Sequence, residues 1–433
     1  MTAKDRSATL TRRDGDGTAR TSGPGEVITL DDGTRVRLVG QLELVPVAGG
    51  VRPVRLPTAS WAHFPPDSAL LRGVVEQASG VRLTVRTSAT HLMLSVRCTR
   101  IQIEDWTAPI NSFVVQVDGE HAGAYATPVD RVARFPLVGD VIDVTTQSER
   151  SAVDISPLPA RDKEVVIWFP QGVIVDVLGL EGNAPIHPGT EAQRPVWIHH
   201  GSSISHCADP AEPTSSWPVV AAQAAGLELV NLGFSGQCML DPFVADAIAT
   251  TDADVISLKV GINIVGARAM DRRTFVPAMH GFLDRIRTGH PDTPIVLSSS
   301  ILWAGNENVP GPAGVEMLGE GHTRSFAIGD RGDVAKGALT LATSRDHLRH
   351  VVAVRAGAGE PIYYLDGLEL YGPDDAVHSP LPDGLHPDGP IYEEMGRRFA
   401  RLVFAADGLV PGHALARNAV GGDVDSSCRG GRR

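Results

Sequence analysis

From Val196 to about Ala406 the chain alternates short apolar runs with amphipathic ones. That rhythm restricts the fold more than any other feature. Val196–His199, Leu229–Leu232, Val255–Val260, Ile295–Ser299 and Ile362–Leu365 read as buried strands. Between them, Trp217–Ala225 reads as a helix with Ser216 at its N-cap, Pro218 in its first turn and Gly226 at its stop. Phe275, Met279, Phe282, Leu283 and Ile286 share one helical face that ends near Gly289. Leu339–Val354 and Tyr392–Phe404 supply two more helices. Strand followed by helix, repeated, calls for a parallel sheet covered on both faces. In such sheets the reactive groups gather where strands end.

The chain before this region has another texture. Val81, Leu83 and Val85 alternate with Arg82, Thr84 and Arg86, and Leu92, Leu94 and Val96 repeat the pattern. Period two marks half-buried strands. Phe113–Val117 runs into Asp118-Gly119, a hairpin turn. Val165–Phe169 and Gly172–Leu178 add two strands, and no helical period is evident. We therefore expect a β-sandwich, jelly-roll-like, over 28–183, a Pro-bearing linker over 184–195 and an α/β domain over 196–410. Residues 1–27 and 411–433 read as a disordered lead and tail. Residues 304–336, rich in Gly and Pro, read as a lid or substrate loop.

Charge narrows the partners. With 39 basic and 51 acidic residues the net charge is −12. This speaks against nucleic acid, which demands a basic surface, and does not favour an anionic membrane. No apolar run approaches the roughly 18 residues of a membrane span. The first 26 residues have no apolar core of a secretory signal, so a cytoplasmic location is expected. Cys98, Cys207, Cys238 and Cys428 fit no metal spacing and no disulfide framework, so reduced thiols are expected. His199, His200, His206, Cys207 and Cys238 invite a zinc reading, but their spacing matches no standard site, and no metal is expected. No phosphate-cradling Gly motif is present, so no cofactor is expected.

The strand ends carry small polar clusters: Gly201-Ser-Ser-Ile-Ser205, Asn231-Leu-Gly-Phe-Ser-Gly236, Gly261-Ile-Asn263 and Asp383-Gly-Leu-His386. Together they supply a hydroxyl, backbone N–H donors, a side-chain amide, an imidazole and a carboxylate. Ester cleavage through a serine needs that set: a nucleophile, a base, a group that orients the base, and donors for the oxyanion. A lone serine, Asx turn or strand-end Asn is more often structural. Four blocks, each after an expected strand, outweigh that reading.

In order and content the blocks resemble the SGNH/GDSL hydrolases over about 195–406, of a two-domain type with an N-terminal β-sandwich. The resemblance implies a flavodoxin-like α/β/α hydrolase fold. It also implies that Ser203 is the nucleophile, His386 the base and Asp383 its orienting partner. The oxyanion hole would be the N–H groups of Ser203 and Gly236 with the side-chain amide of Asn263. One departure is Ser202, where the family has Asp; this leaves Ser202 and Ser205 as rival nucleophiles. His206 and Trp303 are candidates to line a substrate pocket. The expected activity is a cofactor-free serine esterase acting on a small acyl ester, such as an acetyl group on a sugar or secondary metabolite. The alternatives are an acyltransferase using the same acyl-enzyme, a carbohydrate-binding protein with little turnover, and a metal-dependent hydrolase. The oligomeric state is not legible.

Overall fold

The computed structural model describes residues 25–410, apart from 105, 108–109, 137–138, 191–193 and 320–321. The expected tail, nearly all of the expected lead, and Cys428 lie outside the described residues. The polypeptide is mixed α/β, with several sheets.

Residues 26–188 form two large sheets whose pairs are nearly all antiparallel. One is 7-stranded, running from Glu26–Thr29 through Arg35–Val39, Arg82–Thr87, Lys163–Trp168 and Phe113–Val117 to Glu120–Tyr125. The other is 8-stranded and is centred on Leu92–Ile103 and Val173–Gly182. Val36, Leu83, Val115 and Ile167 of the first sheet share one apolar cluster with Leu94, Val96, Val153 and Val175 of the second. The period-two alternation thus sets which face each sheet buries. Asp118 and Gly119 take positive φ (50° and 89°), as a two-residue hairpin turn between twisted strands requires.

Two expectations for this region need correction. It contains a helix, Ala69–Glu76, with Leu70, Leu71, Val74 and Val75 buried on one face. Part of the supposed linker, Ile186–Pro188, is a strand paired with Arg82–Thr87.

Five parallel strands form the sheet of the second region, in the order Glu228–Gly233, Val196–Gly201, Val255–Lys259, Ile295–Ser298, Ile362–Leu365. In chain order that is 2-1-3-4-5, the flavodoxin-type arrangement, whose switch point lies between strands 1 and 3. The first four in chain order are buried almost throughout. Trp217–Ala225 packs on Gly389–Phe399, and Arg272–Arg287 packs on Pro242–Ala249 and Leu341–Gly357. The expected helices occur with shifted ends. Gly226 stops the first in the left-handed region (φ 66°). Ser216 holds the N-cap position, but its hydroxyl donates to Pro213 O rather than capping. The Pro242–Ala249 helix was not anticipated. Residues 304–336 are more ordered than a loop: Ala313–Gly319 and His322–Ala327 form an antiparallel hairpin. Among the described residues no helix is long and apolar enough to cross a membrane.

The two regions are joined by buried polar contacts. Arg55 is fully buried and donates to Val74 O (2.5 Å), Gln77 O (2.6 Å), Asn231 O (3.2 Å) and Gly233 O (2.5 Å). No carboxylate is among these acceptors, and burial lowers its pKa to about 9. Losing it would strand carbonyls on both sides of the junction, at about 1–3 kcal/mol for each group left unsatisfied. Arg55→Met is therefore expected to lower unfolding stability by about 3 kcal/mol or more. Arg86→Met, which removes an exposed pair with Asp162, should leave the unfolding midpoint nearly unchanged. Urea midpoints of the two variants check the contrast; equal shifts would refute it.

Candidate active site

The Val196–Gly201 strand ends at Gly201, and the chain turns at once into a one-turn helix, Ser203–His206. Ser202 is buried at its N-cap, and its hydroxyl accepts from Ile204 N (3.3 Å). Serine thus takes up a loop-holding task where the resembling family has Asp. Ser205 is also buried, and its Oγ lies 2.8 Å from His199 Nε2. His199 Nδ1 lies 2.7 Å from Ser257 Oγ, which also accepts from Trp197 Nε1. Of the three hydroxyls, Ser203's alone meets His386, at 2.9 Å from Nε2.

Asp383 fixes that imidazole. Its Oδ2 accepts from His386 Nδ1 (2.7 Å), while Oδ1 accepts from Leu385 N (2.8 Å) and His386 N (2.6 Å). The carboxylate therefore folds an Asx-type turn and orients the ring at once; the bland and the functional readings of this pair both apply. Because Nδ1–H donates to a carboxylate, Nε2 is left to accept the Ser203 proton. Asp388 caps the following helix by accepting from Ile391 N (3.1 Å), which anchors the far end of the loop. Hairpin residue Ser325 donates its N–H to Asp383 O (2.9 Å), tying the 313–327 hairpin to this turn.

The donors stand at the adjacent strand ends. Ser203 N–H, at the first turn of its helix, has no acceptor among the described residues, and neither has Gly236 N–H. Gly236 has φ 72°, a left-handed conformation that favours glycine. Asn263 Oδ1 accepts from Cys238 N (3.1 Å), so its amide nitrogen faces the other way and is left to donate. Gly233 allows the serine helix to lie against the second strand; a Cβ there would come within 2.4 Å of His206 N.

The first region grips the segment after the serine helix. Asn111, fully buried, donates from Nδ2 to Ala208 O and Pro210 O (both 2.8 Å) and accepts from Gly172 N (2.8 Å). Gln171 Nε2 donates to Pro210 O (2.7 Å). Asn231 Nδ2 donates to Ser79 Oγ (2.8 Å), and Ser79 donates in turn to His206 O (2.7 Å). Nothing in the sequence pattern marked Asn111, Gln171 or Ser79.

Two expected pocket residues lie elsewhere. His206 is fully buried with Nε2 on Gln171 O (2.8 Å), so it braces the junction. Trp303 is packed in the α/β core. Glu307 pairs with Arg345 and helps hold the start of the Leu341–Gly357 helix. His200 lies between Leu232 O (2.7 Å) and Cys238 Sγ (3.5 Å), and burial lowers its pKa to about 4. Desolvation also lowers His199 and His206, so all three rings stay neutral. Cys98, Cys207 and Cys238 are buried free thiols.

Sequence reasoning missed Asp209. It sits in the segment gripped by Asn111 and is exposed, and desolvation by the surrounding protein raises its carboxyl. Burial pulls the His386 imidazolium down, but the Asp383 hydrogen bond and the charges of Asp209 and Asp383 outweigh it, so the net shift is upward.

An orienting carboxylate, an imidazole and a hydroxyl stand in line beside free donors at the switch point of a parallel sheet. That arrangement holds the groups that serine-centred acyl transfer requires. Residues 193–307, which include Ser203, Gly236 and Asn263, match the model of the GDSL-like lipase/acylhydrolase family. The chain thus carries a GDSL-like domain over these residues. No curated protein matches it in sequence. Among solved structures it is similar to the salicylyl-acyltransferase SsfX3 from a tetracycline biosynthetic pathway. Identity is 25% over 87% of this chain and 96% of that one, with a TM-score of 0.69. It is also similar to a GDSL-like lipase from Bacteroides ovatus (18%; 84% and 93%; TM-score 0.59). A family two carbohydrate esterase from Clostridium thermocellum also aligns (15%; 75% and 91%; TM-score 0.51). The last two share the fold.

The electrostatics set a pH expectation. A base works in its neutral form, so activity should fall as pH drops through the His386 pKa, which lies above the ordinary value of about 6.5. Asp209→Asn removes a charge that favours the imidazolium and should move the acidic limb of kcat/KM to lower pH. An unmoved limb would show that Asp209 does not act on His386.

Proposed function

We propose that the protein is a serine esterase. Ser203 Oγ attacks the ester carbonyl while His386 Nε2 takes its proton. The oxyanion is held by Ser203 N–H, Gly236 N–H and the Asn263 amide. The alcohol leaves with the proton from His386, and water then repeats the sequence on the acyl-enzyme to release the acid. The observation that carries this reading is the line from Ser203 Oγ through His386 to Asp383, at 2.9 and 2.7 Å. The substrate we infer is a small acyl ester, acetyl in the first instance, of a sugar or secondary metabolite. No metal or other cofactor enters the scheme.

In this reading the antiparallel sheets act as a β-sandwich domain that braces an α/β/α hydrolase domain, with the division near residues 184–195. The hairpin forms one wall of the cleft. Val315, Leu318 and Phe326 are exposed on it, which suits an apolar part of the substrate.

A second reading has its own support. The likeness to a salicylyl-acyltransferase runs over most of both chains, and an alcohol can intercept the acyl-enzyme in place of water. The two readings share every residue named above and differ in the acceptor.

The test uses p-nitrophenyl esters from acetate to octanoate, with and without an added alcohol, and follows both p-nitrophenol and the acyl product. Ser203→Ala should reduce kcat by about 10⁴-fold or more. Asn263→Ala should reduce it about 10²–10³-fold. Free acid as the main product favours the esterase, and a new ester favours the transferase. Full activity in Ser203→Ala would overturn both.

A further inference from the structure

The antiparallel region carries an open cavity of about 580 Å³ lined, among the described residues, by that region alone. It lies between the Ala69–Glu76 helix and the 8-stranded sheet. Its apolar lining includes Trp61, Phe64, Phe135, Val141, Val144 and Ile174. Val141 and Val144 are exposed, although both are large and apolar. The volume is in the range that holds a small organic ligand.

The polar groups of this cavity are unbalanced. Trp61 Nε1–H and Arg131 Nε–H are shielded from water and have no acceptor among the described residues. A buried donor without a partner is unfavourable, and a ligand that brings an acceptor relieves it. Two of the acceptors nearby are already committed, while the carboxylate of Asp140, exposed to solvent, also belongs to the lining. Glu76 receives Arg52 (3.1 Å) and lies 3.7 Å from Arg72, and the Arg131 terminal nitrogen donates to Glu149 (2.6 Å). Arg72 lies over the Trp61 ring, 4.2 Å from its centre, so a cation already lies against this aromatic wall. An anionic acceptor on an apolar ring needs donors, cations and aromatic walls, and these are what this cavity offers.

We propose that the cavity is a second ligand site, separate from the Ser203 centre, for a small aromatic carboxylate. Its ring lies among Trp61, Phe64 and Phe135, and its oxygens accept from Trp61 Nε1–H and Arg131 Nε–H. The carboxylate needs no covalent step and keeps its charge beside the guanidinium groups of Arg72 and Arg131.

Sodium 2-naphthoate, titrated calorimetrically into the full chain, is the probe. Saturable binding at one site per chain is expected. The uncharged 2-naphthylmethanol should bind about ten-fold more weakly, as should 2-naphthoate to Trp61→Phe and to Arg131→Gln, each lacking one donor. Val144→Trp, at an exposed position, should block the mouth without disturbing the core. All three variants should keep wild-type p-nitrophenyl acetate hydrolysis. No saturable binding would overturn the proposal. So would binding that survives all three substitutions, or binding abolished when a phosphonofluoridate caps Ser203.

Discussion

The site depends on a buried charge that has no counter-charge. Arg55 reaches from the antiparallel region to the end of the second parallel strand and is satisfied by carbonyl oxygens alone, with the Phe234 ring 4.9 Å from its guanidinium carbon. Burying a cation is costly unless every donor finds a partner. Its guanidinium can therefore be held here only if strand end and helix end keep their relative positions. From that strand end the chain passes through Gly233 and Phe234 to Gly236. The Asn231–Ser79–His206 and Asn111–Pro210 contacts extend the same constraint to both sides of the serine helix. An oxyanion hole works because its donors are fixed before the charge develops. Here part of that fixing comes from outside the α/β region.

The loop 383–388 solves a related problem locally. A triad carboxylate must be held still, yet it sits on a turn near the surface. Asp383 holds itself by closing its own turn with one oxygen and orienting the imidazole with the other. The hairpin contact at Ser325 and the Asp388 cap secure the two flanks. The geometry is thus built from short-range contacts, which explains why four residues of sequence mark it so clearly.

That locality also decides what could be read in advance. Strands with strict alternation and helices with proline starts or glycine stops were legible, because their signals lie within a few residues. The strand-end clusters were legible for the same reason. The Ala69–Glu76 helix was missed although Leu70, Leu71, Val74 and Val75 have helical spacing; eight residues among many strands give that period little weight. The hairpin was missed because its Gly- and Pro-rich surroundings hide the alternation. Asn111, Gln171 and Asp209 were invisible for a different reason. Each acts on the site across a long stretch of intervening sequence, where no period reaches. His206 and Trp303 were misplaced because residue type does not reveal depth: both are chemically able to line a pocket, and both are buried by tertiary packing.

The same distinction separates the chemistry from its outcome. In the proposed scheme an acyl-enzyme on Ser203 reacts with whatever nucleophile His386 can deprotonate, and the triad makes no distinction between water and an alcohol. An alcohol held in place by the walls of the cleft gains an effective concentration on the order of 10⁵ M or more, far beyond what diffusing solvent offers. Transfer therefore prevails where the walls bind an acceptor, and hydrolysis where they do not. The 313–327 hairpin meets the Asp383 turn at Ser325, and the segment gripped by Asn111 follows the serine helix; neither carries a motif. In that scheme the four short blocks fix the reaction's first half, and the unpatterned remainder governs its second.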